Sequence, residues 1–188
     1  MLFTIRKGAL IDAAAIVQLE RKHINDELSK PVAALHAHSF TLNEVKTLIN
    51  HHWLAVAEDQ GEIIGYVIAT KWAFFSSQPL YRHIIQKIKF SDIDGCALST
   101  TNTCQYGPVW VHPSFRGKGV FEALVNELKH QVKGTYPFMV TFISADNVRS
   151  LVAHKNKAAM YLLEDFTFEQ RDYQLLVTHT DQSAEANS

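Results

Sequence analysis

The chain has 188 residues, a formal net charge of −1, and 47% hydrophobic against 20% charged residues. That is long enough for one domain with a real core, offers no global basic field to draw nucleic acid or an anionic membrane, and contains no apolar run near the roughly 20 residues that span a bilayer. Two cysteines, Cys96 and Cys104, are too few for a disulfide framework; the N-terminal MLFTIRKGAL lacks a signal-peptide apolar region, so a reducing cytoplasm is expected.

Residues 2–7 (LFTIRK) read as a short strand stopped by Gly8. Asp12 is placed to cap a helix in which Ile16, Leu19 and His23 recur at helical spacing. A second helical stretch covers about 30–50, with a break near Ser39–Thr41. WLAVAE (53–58) alternates as a strand, Gln60-Gly61 signals a turn, and the apolar run 63–75 completes a hairpin. Residues 78–89 return to helical periodicity through Leu80, Ile84, Ile85 and Ile88; 90–103 are polar and turn-rich. Next come a strand at 104–111, a turn at 112–118 and a helix at 119–133, closed by Gly134. Val120, Leu124, Leu128 and Val132 share one face of that helix, with Phe121 and Val125 flanking it. A strand at 138–144, a helix at 148–157 and a strand pair at 160–168 and 172–178 complete a single domain, 1–179. The polar tail 180–188 reads as disordered.

Only 104–111, 119–133 and 138–144 read as strand, helix, strand at close range, which gives two parallel strands and a right-handed crossover. The other strands are joined as antiparallel neighbours. The fold class is therefore α/β with a mixed, mostly antiparallel sheet, not a doubly wound one.

The stretch VWVHPSFRGKGVFEAL (109–124) carries the chemistry. An apolar strand stops at a proline, and a basic, glycine-rich turn sits just where a helix begins. A helix N-terminus presents unpaired N–H groups and partial positive charge, so it binds anions. Gly117 and Gly119 let backbone approach a ligand closely, and Arg116 and Lys118 add charge that can fork onto phosphate oxygens. A Walker A loop is excluded, because Lys118 is followed by Gly119 and no glycine stands at the upstream spacing; a dinucleotide fingerprint fails at its third glycine, where Glu122 stands.

As a whole, V-x-V-x-P-x-x-R-G-x-G resembles the acetyl-CoA motif of the Gcn5-related N-acetyltransferases, the GNAT superfamily. NVRSLVAHKNKAAMY (147–161) is similar to that family's N-x-x-[AS]-x-x-x-Y segment, with Asn147 and Ser150 in place. The resemblance covers about residues 2–178. It implies the GNAT fold, with helices on both sheet faces and the parallel pair splayed to admit acetyl-CoA as co-substrate. The backbone of Val109, Trp110 and Val111 is then expected to pair with the pantetheine arm. Arg116, Gly117, Lys118, Gly119, Val120 and Phe121 are expected to hold the pyrophosphate, and Asn147 and Ser150 to line the site. Gly107-Pro108 inside a strand is explained by a β-bulge, which in the family helps aim a backbone N–H, here that of Val111, at the thioester carbonyl. Three positions depart from the pattern. Phe121 replaces a small residue, His154 stands at the usual tyrosine, and Ala158-Ala159 replace the usual Gly-Phe.

The implied reaction is direct attack of an amine on the thioester, with CoA leaving as thiolate. His154 could protonate that thiolate, merely hydrogen-bond the sulfur, or be a helix-surface histidine without a role. No carboxylate lies on 104–111; Glu58, Asp92, Asp94 and a water chain all stay open as routes for the amine proton. His36-x-His38 and His51-His52 lack a third ligand, so no metal is expected. The long stretch 72–103 is expected to form a helical lid over the acceptor pocket, with a surface decoration or dimer contact as the competing reading. The leading function is N-acetylation of a primary amine on a small molecule or protein, without nucleic acid or membrane partners and with a homodimer left open. The alternative is a CoA-binding regulatory or sensor domain with little turnover.

Overall fold

The computed structural model describes residues 3–23 and 39–181. The strands are β1 (Thr4–Lys7), β2 (Trp53–Asp59), β3 (Glu62–Thr70), β4 (Asp92–Ile93), β5 (Cys96–Ala97), β6 (Thr103–Val111), β7 (Phe138–Ser144), β8 (Tyr161–Phe168) and β9 (Arg171–His179). The α-helices are α1 (Ala13–His23), α2 (Leu42–His51), α3 (Pro79–Ile88), α4 (Val120–Val132) and α5 (Val148–Lys157). Seven strands form one sheet in the order β1-β2-β3-β6-β7-β9-β8, and β4 and β5 form a separate two-stranded ribbon. Every neighbouring pair in the large sheet is antiparallel except β6 and β7. The fold class is the expected one.

Strand alternation sorts the side chains into two faces. Ala55, Ala57, Val67, Ala69, Cys104 and Met139 lie under α4, whose Val120, Leu124, Leu128 and Val132 complete that core. Leu54, Val56, Tyr66, Ile68 and Trp110 point the other way, against Ile16 and Val17 of α1 and Val45 and Leu48 of α2. Phe138 and Val140 flank Met139 and so share the α1 face; there they pack with Leu80, Ile84 and Ile88 of α3. Helix α3 is therefore a docked core element, each of those three side chains stabilising the fold by about 2 kcal/mol. It covers β7, β9 and β8, while α1 and α2 cover the strands on the other side of the β6–β7 junction.

The elements depart from the sequence reading at four points. Asp12 does not cap α1. It closes a 3-10 turn (Leu10–Asp12), accepting from the Ala9 N–H at 2.7 Å and from the Arg6 guanidinium at 2.7 and 2.9 Å. The run 63–75 is a strand only to Thr70; Trp72–Phe75 coil into a 3-10 turn that brings Phe75 back to the core. The polar stretch 90–103 holds the β4–β5 ribbon, turned at Asp94 and Gly95, both at positive φ. Thr180 is buried and ordered, its N–H and hydroxyl bonding Pro137 O and Tyr136 O at 2.9 and 2.7 Å. The first part of the expected 30–50 helix, with His36 and His38, lies outside the described residues, as does 182–188.

Candidate active site

Strands β6 and β7 pair only through Thr103–Phe138, Cys104–Met139 and Gln105–Val140. Beyond Gln105 they diverge, although β6 runs on to Val111 and β7 to Ser144. On its other edge β6 stays bonded to β3, with the pairs Ala69–Tyr106 and Val67–Val109. Three steps on β6 thus face two on β3, so the expected bulge is present, at Gly107-Pro108. The His112 N–H bonds Ile64 O at 2.8 Å, which sets the phase of this ladder. In an antiparallel pair bonded residues alternate. Residues 110 and 112 therefore turn their backbone groups to β3, and Val109 and Val111 turn theirs into the wedge between β6 and β7.

The turn after β6 is tied back to the strand. The Arg116 Nε donates to Val111 O at 3.0 Å, and Lys118 Nζ lies 5.1 Å from the centre of the Phe115 ring. Gly117 and Gly119 have φ of 74° and 81°, and no heavy atom lies within 4 Å of where a Cβ would stand. The requirement for glycine here is thus conformational, since side-chain residues enter this region at a cost of roughly 1–2 kcal/mol. Gly119 caps α4, and its carbonyl accepts the Ala123 N–H at 3.0 Å. The N–H groups of Val120, Phe121 and Glu122 precede that first helical bond and point out of the N-terminus.

Helix α5 supplies the third part. Asn147 is its N-cap, with Oδ1 accepting the Ser150 N–H at 3.2 Å. His154 is buried, only 3% exposed, between the rings of Tyr106 and Phe121 at 5.4 and 5.0 Å, both edge-on. Its Nδ1 lies 2.7 Å from Ser150 O, which assigns the proton to Nδ1. Burial pushes the His154 pKa down to about 4, opposed only by that bond, so the ring is neutral at neutral pH. The C-terminus of α5, where the sequence departs from the pattern, is closed from outside the helix. Buried Lys129 donates to Ala158 O at 3.1 Å, and Thr178 Oγ1 donates to Ala159 O at 2.9 Å. Burial pushes the Lys129 pKa down to about 8.

The sequence matches the Acetyltransferase (GNAT) family over residues 22–168. The chain belongs to the GNAT acetyltransferase family. Acetyl transfer from acetyl-CoA is accordingly the reaction its site must perform. No curated protein matches the sequence. Among solved structures it is similar to yncA from Salmonella typhimurium, solved with its cofactor acetyl-CoA, at 19% identity and a TM-score of 0.65, covering 99% of this chain and 98% of that one. An N-acetyltransferase from Staphylococcus aureus Mu50 is similar at 20% identity and 0.64, covering 96% and 100%. A phosphinothricin acetyltransferase from Sinorhizobium meliloti, in complex with acetyl-CoA, is similar at 18% and 0.63, covering 95% and 89%.

On the α1 face of this GNAT sheet stands a carboxylate that sequence reasoning passed over. Glu20 is 8% exposed and accepts a hydrogen bond from the Tyr66 hydroxyl. Burial raises its pKa, and the Tyr66 bond opposes that only in part. The signal was present in the spacing: Ala13, Ile16, Val17 and Glu20 form the buried stripe of α1, so a glutamate continues an apolar face. The carboxylates considered from sequence are placed elsewhere. Glu58 pairs with Arg6 at 2.7 Å, Asp94 with His179 at 3.1 Å, and Asp92 lies exposed on the ribbon. Among the described residues no group of three or more His, Cys, Asp or Glu could hold a metal ion, and no helix is long and apolar enough to cross a membrane.

Proposed function

We propose that this acetyltransferase acetylates a primary amine of a small molecule or a protein, by direct attack of the amine on acetyl-CoA. The observation that carries the reading is the wedge. A parallel pair stops pairing at Gln105–Val140, a bulge follows, and the freed edge of β6 leads straight into the left-handed glycines at the start of α4. The pantetheine arm bears amides and carbonyls, so it can complete the ladder that Val109 and Val111 leave open. Val111 O is already held by Arg116; the Val111 N–H, turned into the wedge, would donate to the thioester oxygen as charge develops there. The pyrophosphate would rest on the N–H groups of residues 117–121, with Arg116 and Lys118 beside it. Asn147 and Ser150 would border the pantetheine from α5. The name of the Staphylococcus aureus neighbour supports an amine as acceptor.

His154 lies on the α4–α5 face of the wedge. Of the roles open to it, its neutral state favours the hydrogen-bond partner of the sulfur: with Nδ1–H given to Ser150 O, the remaining ring nitrogen accepts from the CoA thiol. The segment 72–103 would wall the acceptor side. Tyr81 of α3 stacks on Phe75 at 4.4 Å and meets Phe142 of β7 edge-on at 5.2 Å, at the opening of the wedge on the α1 face.

Calorimetry with acetyl-CoA, followed by free-thiol release with a panel of primary amines, tests the reading. Tight binding with amine-dependent release is expected. Binding without release would favour the alternative of a CoA-responsive sensor, which the neutral state of His154 keeps in play.

A further inference from the structure

We propose that Glu20 receives the ammonium group of the acceptor and takes its proton before attack; this rests on the amine reading above. A carboxylate this deeply buried is strongly disfavoured unless it is paired. Among the described residues Glu20 has the Tyr66 hydroxyl and no cation. The counter-charge missing among the described residues has a natural source in an amine substrate, which reaches the protein as an ammonium ion.

The placement fits. Tyr66 pairs with Trp110 across the β3–β6 ladder, and their rings stack at 6.1 Å. Trp110 lies between Val109 and Val111, the residues whose backbone faces the wedge. On the other side, Glu20 adds to the upward push that burial gives the Tyr81 pKa, and partly buried Tyr81 reaches Phe142 on β7. Glu20 thus sits between groups from both sides of the wedge. It is on the α1 face, whereas His154 is on the α5 face. The amine and the leaving sulfur would occupy opposite sides of the thioester carbonyl. Tyr66, Tyr81 and Trp110 give the site aromatic walls, which also attract a cation. These features select a primary ammonium group carried on an uncharged or apolar neighbourhood over an anionic acceptor centre.

The step balances without any further reactant. The R–NH3+ group gives one proton to the Glu20 carboxylate and becomes R–NH2. Its lone pair forms the C–N bond at the thioester carbonyl. The adduct collapses with cleavage of the C–S bond, the nitrogen loses its second surplus proton, and the thiolate ends as CoA–SH. Glu20 then releases its proton to solvent. One acetamide, one thiol and one proton result.

Glu20→Gln keeps the shape and an oxygen for the Tyr66 hydroxyl while removing the charge and the base. Acetyl-CoA affinity by calorimetry should be unchanged. With ethylamine and longer primary amines, kcat/KM should fall by about 100-fold or more. With trifluoroethylamine, which is already uncharged at neutral pH, wild type and variant should agree within about threefold, a selective rescue that a merely structural role would not produce. Equal losses on both kinds of amine, or no loss on either, overturn the assignment of Glu20. Wild-type protein that binds acetyl-CoA and acetylates no amine overturns the amine reading itself, and the Glu20 proposal with it.

Discussion

Acidifying the protein from about pH 7.5 to about pH 5 should weaken the fold by about 2 kcal/mol through His154 alone. The ring's ordinary pKa is 6.5, and its buried position lowers this to about 4. The unfolded chain therefore binds the proton more readily than the folded one. Stability from the neutral ring is fully present above the ordinary value and is lost as pH falls toward the folded value. Over the whole window the loss is about 3 kcal/mol. The assay is urea unfolding of wild type and His154→Phe at the two pH values. Phenylalanine keeps an aromatic ring between Tyr106 and Phe121 but cannot titrate, and any packing cost of its larger ring is the same at both pH values. It forfeits the Nδ1–H bond to Ser150 O, about 1 kcal/mol, equally at both pH values, so that term cancels. The stability difference between the two proteins should shift by about 2 kcal/mol in favour of the variant on acidification, equivalent to about 6 °C in Tm for a domain this size. A difference that stays constant with pH would refute the buried, neutral imidazole, and with it the argument that this residue is an acceptor toward the sulfur.

Arg116→Ala removes both a cation and the bond to Val111 O; acetyl-CoA affinity should drop about tenfold with little change in Tm, and calorimetry showing equal affinity would remove Arg116 from the pyrophosphate site. Gly119→Ala forces a side-chain residue to φ near 81° and should lower stability by about 1 kcal/mol while weakening acetyl-CoA binding; denaturation and titration of the one variant read both effects. Tyr81→Leu, which removes the aromatic ring, should raise KM for the amine and leave acetyl-CoA affinity alone, as a wall of the acceptor side would. Unchanged amine kinetics would instead make α3 a packing element only.

The sheet was legible because its signals were local. Alternation in WLAVAE, the Gln60-Gly61 turn and the α4 stripe each name an element and a face, and the observed hairpin and crossover follow them. The bulge was legible because proline breaks a ladder rule that the rest of β6 obeys. The ribbon at 92–97 was not, since two-residue strands carry no period. Asp12 looked like a helix cap, and only the return of β1 beside it reveals Arg6 as its partner. Lys129 and Glu20 were missed for a common reason: each polar residue interrupts a buried helical stripe, and its compensation comes from another element, Ala158 O for the lysine and Tyr66 for the glutamate. Spacing shows the interruption but not the partner. The neutral state of His154 likewise needs Tyr106 and Phe121 around it, residues 48 and 33 positions earlier in the chain.

The most direct test of acetyl transfer to an amine is a single mixture of wild-type protein, acetyl-CoA and a panel of primary amines, followed by thiol detection and by mass spectrometry of the amines. Free CoA and acetylated amine should form in equal amounts, well above the uncatalysed rate. Saturable binding of acetyl-CoA with thiol release no faster than in buffer, for every amine, would contradict acetyl transfer to an amine.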